Sequence, residues 1–284
     1  MRIALVALVA LASFCRSANA DLLARADSLY ALRAEGAEYD RALREPIAEA
    51  IAAYRQAAEA QPESIETQWK LLRSLFFEGQ YTGYSRPERR ARYEEAVEQA
   101  EEYLAQAAER CGGKQTWVRG TRADIARLCN PDDAAQLYLW SAIAWAQWGR
   151  ASGLLDAVRS GMATKLNDYA LRVVELDPAC EGGGGQRLLA SLHARLPNIP
   201  LITGFVRREK AIPLATDALA LDPAHPGNRY IYATVLYRVD PERRTEAKDL
   251  LRQLAAETPS GPWRVEWRNL CRRAQNWLNG NYAP

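Results

Sequence analysis

The sequence lacks an excess of charge of either sign. It has 37 lysines and arginines against 35 aspartates and glutamates. Removing the first twenty residues as a leader would take away Arg2 and Arg16 and leave the two signs equal. Binding to nucleic acid through a basic surface depends on surplus positive charge. We therefore expect no nucleic acid partner.

Histidine is scarce, and no sequence motif typical of catalysis occurs. Of the two histidines, His193 falls in an apolar helical pattern and His225 lies in a turn beside prolines. Neither Gly-x-Ser-x-Gly nor His-Glu-x-x-His is present. We therefore expect a protein without enzymatic activity. The alternative is a hydrolase or lyase whose site is assembled from residues distant in sequence.

Cysteine is limited to five positions, of which Cys15 falls in the leader. Because no Cys-x-x-Cys pair occurs and the histidines are distant in sequence, we expect neither a metal site nor a cofactor. In an oxidising compartment the other four cysteines permit disulfides. Cys111 and Cys129 bracket a loop-rich segment and are the first predicted pair. That leaves Cys180 with Cys271.

Long apolar runs are absent after the N-terminus. Residues 3–14 form an apolar run that is preceded by Arg2 and followed by Ala18 and Ala20, the Ala-x-Ala pattern of a cleavable secretory signal. We predict that residues 1–20 are a signal peptide and that residues 21–284 are periplasmic. A lipid anchor at Cys15 is the less favoured alternative, because Phe14 stands where a small residue usually precedes a lipidated cysteine.

What the sequence does contain is an internal repeat. Three apolar residues spaced by four and three, followed by a proline five residues later, recur four times. The copies are Ala50, Tyr54, Ala57 and Pro62; Leu166, Ala170, Val173 and Pro178; Ala211, Ala215, Ala218 and Pro223; and Ala247, Leu251, Leu254 and Pro259. This spacing places the apolar residues on one helical face, and the proline ends the helix. The pattern is typical of the second helix of a tetratricopeptide unit.

Helix pairs of this kind bury their apolar faces by stacking on one another. Strand signals are nearly absent, and residues 200–206 are interpreted as an extended loop between helices. We predict an all-α fold, an irregular tetratricopeptide-like helix-turn-helix superhelix over residues 21–284. Its last helix, near residues 263–278, is expected to cap the stack.

Four consecutive glycines, Gly182–Gly185, allow two interpretations. A phosphate-binding loop would follow a strand and carry a lysine and a hydroxyl residue, but this run follows a helix and has neither. Glycines also suit a helix stop and a close helix crossing. The context favours that second interpretation.

A helix near residues 137–149 is apolar on nearly every side and contains Trp140, Trp145 and Trp148. A helix of this composition is normally surrounded by other helices. The first interpretation is therefore a central core helix. Because tryptophan also marks recognition surfaces, the alternative is that these side chains line a pocket or channel.

Several of these motifs, in this order, resemble the T component associated with TRAP transporters. They are Tyr138-Leu-Trp-Ser-Ala-Ile-Ala-Trp-Ala-Gln-Trp-Gly149, Leu176-Asp-Pro178, the segment from Gly182 to Pro197, Lys210-Ala with Ala218-Leu-Ala-Leu-Asp-Pro223, and Arg229-Tyr-Ile-Tyr-Ala233. The resemblance covers roughly residues 40–257. It implies cryptic tetratricopeptide repeats in the periplasm and a trimer with a central opening. It also implies docking to the periplasmic solute-binding protein of a TRAP transporter and delivery of an apolar or organic-acid ligand.

The chain departs from the family pattern after Pro197. A short glycine-rich link is usual there, whereas residues 198–206 form an apolar loop in this sequence. We expect the opening or partner surface to involve seven residues: Trp140, Trp145, Trp148, Arg187, Ile199, Leu201 and Phe205. The alternative function is a cell-envelope repeat scaffold that assembles proteins unrelated to transport.

Overall fold

The computed structural model describes residues 21–280, and within them the chain is all-α. The predicted signal peptide and Cys15 lie outside the described residues. Fourteen α-helices and two short 3₁₀ turns occur in residues 21–280, with no β-strand. Helix α1 covers residues 21–31. The others are α2 (Arg44–Ala60), α3 (Ile65–Tyr81), α4 (Arg86–Arg110), α5 (Gly113–Arg119), α6 (Arg122–Ala126), α7 (Pro131–Ser152), α8 (Leu154–Arg159), α9 (Met162–Leu176), α10 (Gly184–Arg195), α11 (Ala211–Leu221), α12 (Pro226–Val239), α13 (Arg244–Ala255) and α14 (Arg264–Leu278). The predicted fold class is confirmed.

The helix stops predicted from the repeats are confirmed as well. Helices α2, α9, α11 and α13 end a few residues before Pro62, Pro178, Pro223 and Pro259. The apolar residues of every copy are buried in the structure. Proline lacks an N–H and disfavours a helical conformation in the residue before it, which explains why these helices stop there.

Consecutive helices pack on one another along most of the chain. Helix α2 contacts α3, α3 contacts α4, and an unbroken series of neighbours leads from α9 to α14. Helix α7 is surrounded, because it packs against α3, α4 and α9. It is longer than the predicted Trp-rich segment and begins at Pro131, where the Asn130 side chain accepts a hydrogen bond from the Asp132 N–H. The result is a superhelix-like stack around a central helix.

The two ends of the stack meet. Residues 33–41, which follow α1, contact α14 through charged groups, and we call this contact the seam. Arg33 forms an ion pair of 2.7 Å with Glu266, and Asp40 accepts hydrogen bonds from Asn269 at 2.8 Å and Arg272 at 2.7 Å. A helix is present near residues 263–278 as α14, and it packs against the beginning of the described chain.

The cysteines differ from the prediction in part. Cys111 and Cys129 form a disulfide that encloses α5 and α6. Cys180 and Cys271 are buried thiols that do not pair. Cys180 packs with the apolar residues around α7, whereas Cys271 packs among α12, α13 and α14. The prediction of a second disulfide is wrong, because the helix stack places these two thiols in different apolar clusters.

The glycine run forms a tight turn and the first residues of α10. Gly183 has a φ of +92°, and a Cβ there would lie 3.0 Å from the Ala218 Cα. A Cβ on Gly184 would lie 2.8 Å from the Leu139 side chain. The absence of side chains thus lets α10 begin in close contact with both α7 and α11. This is the helix stop and close crossing that the sequence context favours.

Candidate functional site

Four arginines from four helices act on one another electrostatically, and we call them the arginine cluster. Arg150, Arg195 and Arg238 lie in the last turns of α7, α10 and α12, and Arg273 lies in α14. The positive charges of the other three all act on the Arg195 guanidinium. The charge of Arg273 also acts on Arg150. These mutual effects place the four guanidinium groups in one electrostatic neighbourhood.

The helix stack explains why these residues meet. Helix α10 packs on α12, and α12 packs on α14. Corresponding positions of stacked units line up along one face of a superhelix. Arg195 and Arg238 occupy such corresponding positions in the last turns of α10 and α12, whereas Arg273 lies within α14. The spacing of apolar residues in the sequence does not reveal this arrangement.

The arginine cluster has no acidic partner in residues 21–280. None of its four guanidinium groups forms an ion pair or a side-chain hydrogen bond with another described residue. Burial, together with the neighbouring positive charges, lowers the pKa of Arg195 to about 10. Desolvation and the charge of Arg273 also lower the pKa of Arg150, although the Arg150 side chain is exposed and the other three are half-buried.

Helix dipoles favour cations at these positions, but only weakly. A cation in the last turn of a helix gains about 0.3–1 kcal/mol from the partial negative charge there. At Arg195, burial and the neighbouring positive charges act in the opposite direction and lower the pKa.

Aromatic rings form part of the surroundings. The Arg273 guanidinium lies 4.7 Å from the centre of the Tyr230 ring, and Arg238 lies 5.2 Å from the centre of the Trp277 ring. The Tyr93 hydroxyl is buried without a hydrogen-bond partner in residues 21–280. The charges of Arg89 and Arg150 act on it to lower its pKa, although burial raises that pKa overall.

A glycine gives Tyr93 its position. A Cβ on Gly79 in α3 would lie 2.7 Å from the Tyr93 ring, so only the absence of a side chain allows this ring to lie against α3. The ring thereby stays near Arg150, with its hydroxyl buried and unpartnered among the described residues.

A polar cavity of about 470 Å³ lies beside the seam. It lies between the seam and the turn that joins α3 to α4, and its lining includes Asp40, Tyr81, Arg89 and Arg272. None of the four cluster arginines lines this cavity, whose lining also includes Glu38. The volume falls in the range of small-molecule sites.

The three predicted tryptophans take part in helix packing. The Trp140 Nε1 donates to Gln136 at 3.0 Å, and the Trp145 Nε1 donates to Glu101 at 2.7 Å. Trp145 and Trp148 meet edge to face with their ring centres 5.4 Å apart. Trp140 and Trp145 are buried. These contacts support the interpretation of α7 as a core helix rather than the wall of a channel.

Arg187 holds the glycine turn in place. Its Nη1 donates to the Gly182 carbonyl at 3.0 Å and to the Asn228 side chain at 2.7 Å. Burial lowers its pKa to about 10. Because Gly182 lies in the α9–α10 connection and Asn228 lies in the first turn of α12, Arg187 ties neighbouring helix pairs together.

The loop between α10 and α11 presents apolar side chains to solvent. Leu201 is fully exposed, and Ile199 and Ile202 are about two-fifths exposed. Phe205 is half-buried. Leu201 also has a φ of +68°, a left-handed conformation that is rare for a leucine.

Internal hydrogen bonds fix the shape of this loop. The Thr203 N–H donates to the Ile199 carbonyl at 2.8 Å, and the Ile199 N–H donates to the Thr203 hydroxyl at 3.0 Å. The Asn198 side chain donates to the Val206 carbonyl at 2.9 Å. The exposed apolar tip is therefore held in one conformation.

Comparison with known proteins leaves the family open. No protein-family model matches the chain, and no curated protein matches it significantly. In the part of the chain that the structure describes, no group of histidine, cysteine and acidic side chains is arranged to hold a metal ion. No helix of that part is long and apolar enough to cross a membrane.

Proposed function

We propose that this protein is a non-enzymatic periplasmic accessory protein that docks the solute-binding protein of a TRAP-type transporter. The order of motifs that resembles the T component supports the choice of partner. The stacked helix pairs support it as well, because such stacks offer extended surfaces for binding. The proposal includes a trimeric assembly and the delivery of an apolar or organic-acid ligand to the docked protein.

The loop between α10 and α11 is the observation that carries the docking proposal. A left-handed conformation costs a leucine roughly 1–2 kcal/mol. Because the Leu201 side chain is exposed, its burial within the chain does not offset this cost. Strain of this kind concentrates at sites where the surrounding structure uses it. A rigid apolar tip that gains nothing in the isolated chain is suited to burial against a partner.

Light scattering tests the proposal directly. We would measure the purified protein alone and mixed with the solute-binding protein encoded beside it. A trimer that shifts to a larger, defined complex is the expected result. A monomer that does not bind this partner would contradict the proposal and favour the cell-envelope scaffold. Partners of such a scaffold would then be sought among proteins of secretion or the cell wall.

Two variants locate the surface. Leu201→Asp should weaken the complex at least tenfold, because it places a charge in the apolar contact. The matched control is Leu155→Asp, an equally simple change at an exposed leucine of α8. Equal effects of the two changes would show that the loop between α10 and α11 is not the docking surface.

A further inference from the structure

The Cys111–Cys129 disulfide closes a loop that contains the short helices α5 and α6, and we call residues 111–129 the disulfide loop. Positive charge is concentrated in it. Its charged residues are the cations Lys114, Arg119, Arg122 and Arg127 and one acid, Asp124. This surplus is larger than the net charge of +2 of the entire chain.

Aliphatic side chains are exposed among these cations. Val118 is 49% exposed and Leu128 is 61% exposed. In α5, Lys114 and Val118 lie one helical turn apart and are both exposed, as is Arg119, whereas Trp117 is buried in the core. The outer side of α5 therefore presents cations and an aliphatic group together.

Three of the exposed side chains line one hollow. Arg119 from α5 and Arg127 and Leu128 from the end of α6 border a cavity of about 430 Å³. Arg127 is paired with Asp124 at 3.4 Å but is 77% exposed. Arg119 has no carboxylate partner in residues 21–280. Guanidinium groups bind phosphate oxygens through their planar forks of N–H donors, so this hollow is suited to a phosphate group.

The disulfide loop is fixed to the helix stack. The Trp117 ring stacks on the Tyr138 ring with the ring centres 5.2 Å apart. The Trp117 carbonyl accepts hydrogen bonds from the Tyr138 hydroxyl at 3.1 Å and from the Arg172 Nε at 3.0 Å. Because these contacts and the disulfide hold the loop, its exposed groups need little ordering when they bind.

Helix α8 provides an internal comparison. It also exposes aliphatic side chains, with Leu155 at 71% and Val158 at 46%. Its charged residues are Asp156 and Arg159, which cancel. Exposed aliphatic groups thus occur at both places, but the disulfide loop alone of the two surrounds them with surplus positive charge.

This combination favours a particular partner. Cations around exposed aliphatic groups are typical of segments that lie on anionic membranes, where the cations attract headgroups and the aliphatic groups enter the apolar boundary. The size of the hollow agrees with this partner. A cavity of about 430 Å³ accommodates one headgroup but not a protein helix, which is about 10 Å across.

We propose that the disulfide loop docks on the surface of a bilayer that contains anionic phospholipids. Arg119 and Arg127 bind a headgroup phosphate, and Val118 and Leu128 enter the boundary between headgroups and acyl chains. This interaction goes beyond the docking of a solute-binding protein and does not need that partner. A failure of either experiment therefore leaves the other proposal standing.

Sedimentation with lipid vesicles tests the proposal on purified residues 21–284 at low ionic strength. One set of vesicles contains equal parts of phosphatidylglycerol and phosphatidylcholine, and the other contains phosphatidylcholine alone. We expect the protein to sediment with the anionic vesicles and to stay in solution with the others. Added salt should release the bound protein, because it screens the attraction between the loop and the headgroups.

Substitutions at exposed positions locate the surface without disturbing the core. Arg119→Gln should weaken binding to the anionic vesicles about fivefold, the order expected for one cation near such a surface. Leu128→Ser should also weaken binding several-fold. The matched controls are Arg159→Gln and Leu155→Ser in α8. They should leave binding unchanged, because the 22 residues of α7 separate α8 from the disulfide loop by about 33 Å.

Four results would overturn the proposal. They are the absence of binding to the anionic vesicles, equal binding to both kinds of vesicle, and equal losses in Arg119→Gln and Arg159→Gln. The fourth is binding of polyglutamate that Arg119→Gln weakens, in a protein that does not sediment with vesicles. That last result would assign the disulfide loop to an acidic protein surface instead of a membrane.

Discussion

Two groups of arginines in this protein illustrate opposite uses of the same side chain. At the seam, Arg33 and Arg272 have carboxylate partners, and Arg33 is only 2% exposed. In the arginine cluster, four guanidinium groups gather without any acid from residues 21–280. The fold supplies carboxylate partners to the seam arginines but not to the cluster arginines.

Paired and unpaired arginines are expected to affect the stability of the protein in opposite ways. A buried cation with a partner holds two segments together, and breaking the pair leaves an uncompensated charge. A group of like charges without partners costs stability in the isolated chain, as is common at binding sites. Removing an arginine from the seam should therefore lower the free energy of unfolding, whereas removing one from the arginine cluster should raise it.

The largest expected effect comes from the buried seam pair. Arg33→Met removes the partner of Glu266 and the cation that lies 4.4 Å from the Tyr30 ring centre. We expect the free energy of unfolding to fall by about 3–5 kcal/mol, measured by urea denaturation. The double variant Arg33→Met with Glu266→Leu should recover most of this loss. A loss below about 1 kcal/mol for the single change would remove the distinction between the two groups.

The next effect has the opposite sign. Arg195→Met removes one charge from the arginine cluster and fills the space with an apolar side chain. We expect the free energy of unfolding to rise by about 1–2 kcal/mol, because a poorly solvated charge among like charges is lost. Urea denaturation checks this, with Arg127→Met as a control expected to change stability by less than about 0.5 kcal/mol. Destabilisation by Arg195→Met would mean that its charge is compensated in the protein.

The destabilisation caused by Arg33→Met should depend on pH. Burial raises the pKa of the Glu266 carboxyl, and the positive charge of Arg33 opposes that rise. A raised pKa means that the folded state holds the proton more tightly than the unfolded chain, so this residue favours folding most at low pH. Its contribution is lost as pH rises through its pKa in the folded state. The destabilisation by Arg33→Met should thus be larger at pH 8 than at pH 5, by about 1 kcal/mol.

Parallel urea curves at those two pH values measure this difference. In Arg33→Met the Glu266 carboxylate loses the attraction of the Arg33 charge. Its ionised form therefore costs more free energy in the folded state. An equal destabilisation at both pH values would show that the ionisation of Glu266 does not contribute.

The smallest effect is expected at the exposed part of the seam. Arg272 is about half exposed and pairs with Asp40, which also accepts from Asn269. Arg272→Gln should lower the free energy of unfolding by less than about 1 kcal/mol. Added salt should reduce even that difference, since it screens exposed charges. A loss as large as that of Arg33→Met would place the main strength of the seam here.

The fold could be predicted from the sequence because its information is local. Spacings of four and three define a helical face, and Pro62, Pro178, Pro223 and Pro259 define where helices end. Trp145 is open to two interpretations in the sequence, since an indole suits both a core and a recognition surface. Only its contacts with Glu101 and Trp148 decide between them.

The candidate site could not be predicted in the same way. Arg150 and Arg273 are 123 residues apart in sequence, and nothing in the neighbourhood of either identifies the other. Their proximity depends on the way that helix pairs stack, which apolar spacing does not specify. The same limit explains the cysteines: Cys111 and Cys129 pair across a short loop, whereas the positions of Cys180 and Cys271 depend on the whole stack.

The seam also changes how the protein is expected to unfold. In an open array of helical repeats each unit contacts only its neighbours, so the terminal units fray first and unfolding can spread inward. Here the segment after α1 is bound to α14, so that neither end can open alone without breaking the Arg33–Glu266 pair. Amide hydrogen exchange at α1 and α14 should therefore be slow and matched. The closed stack should lose its structure in one cooperative step, as a globular domain does.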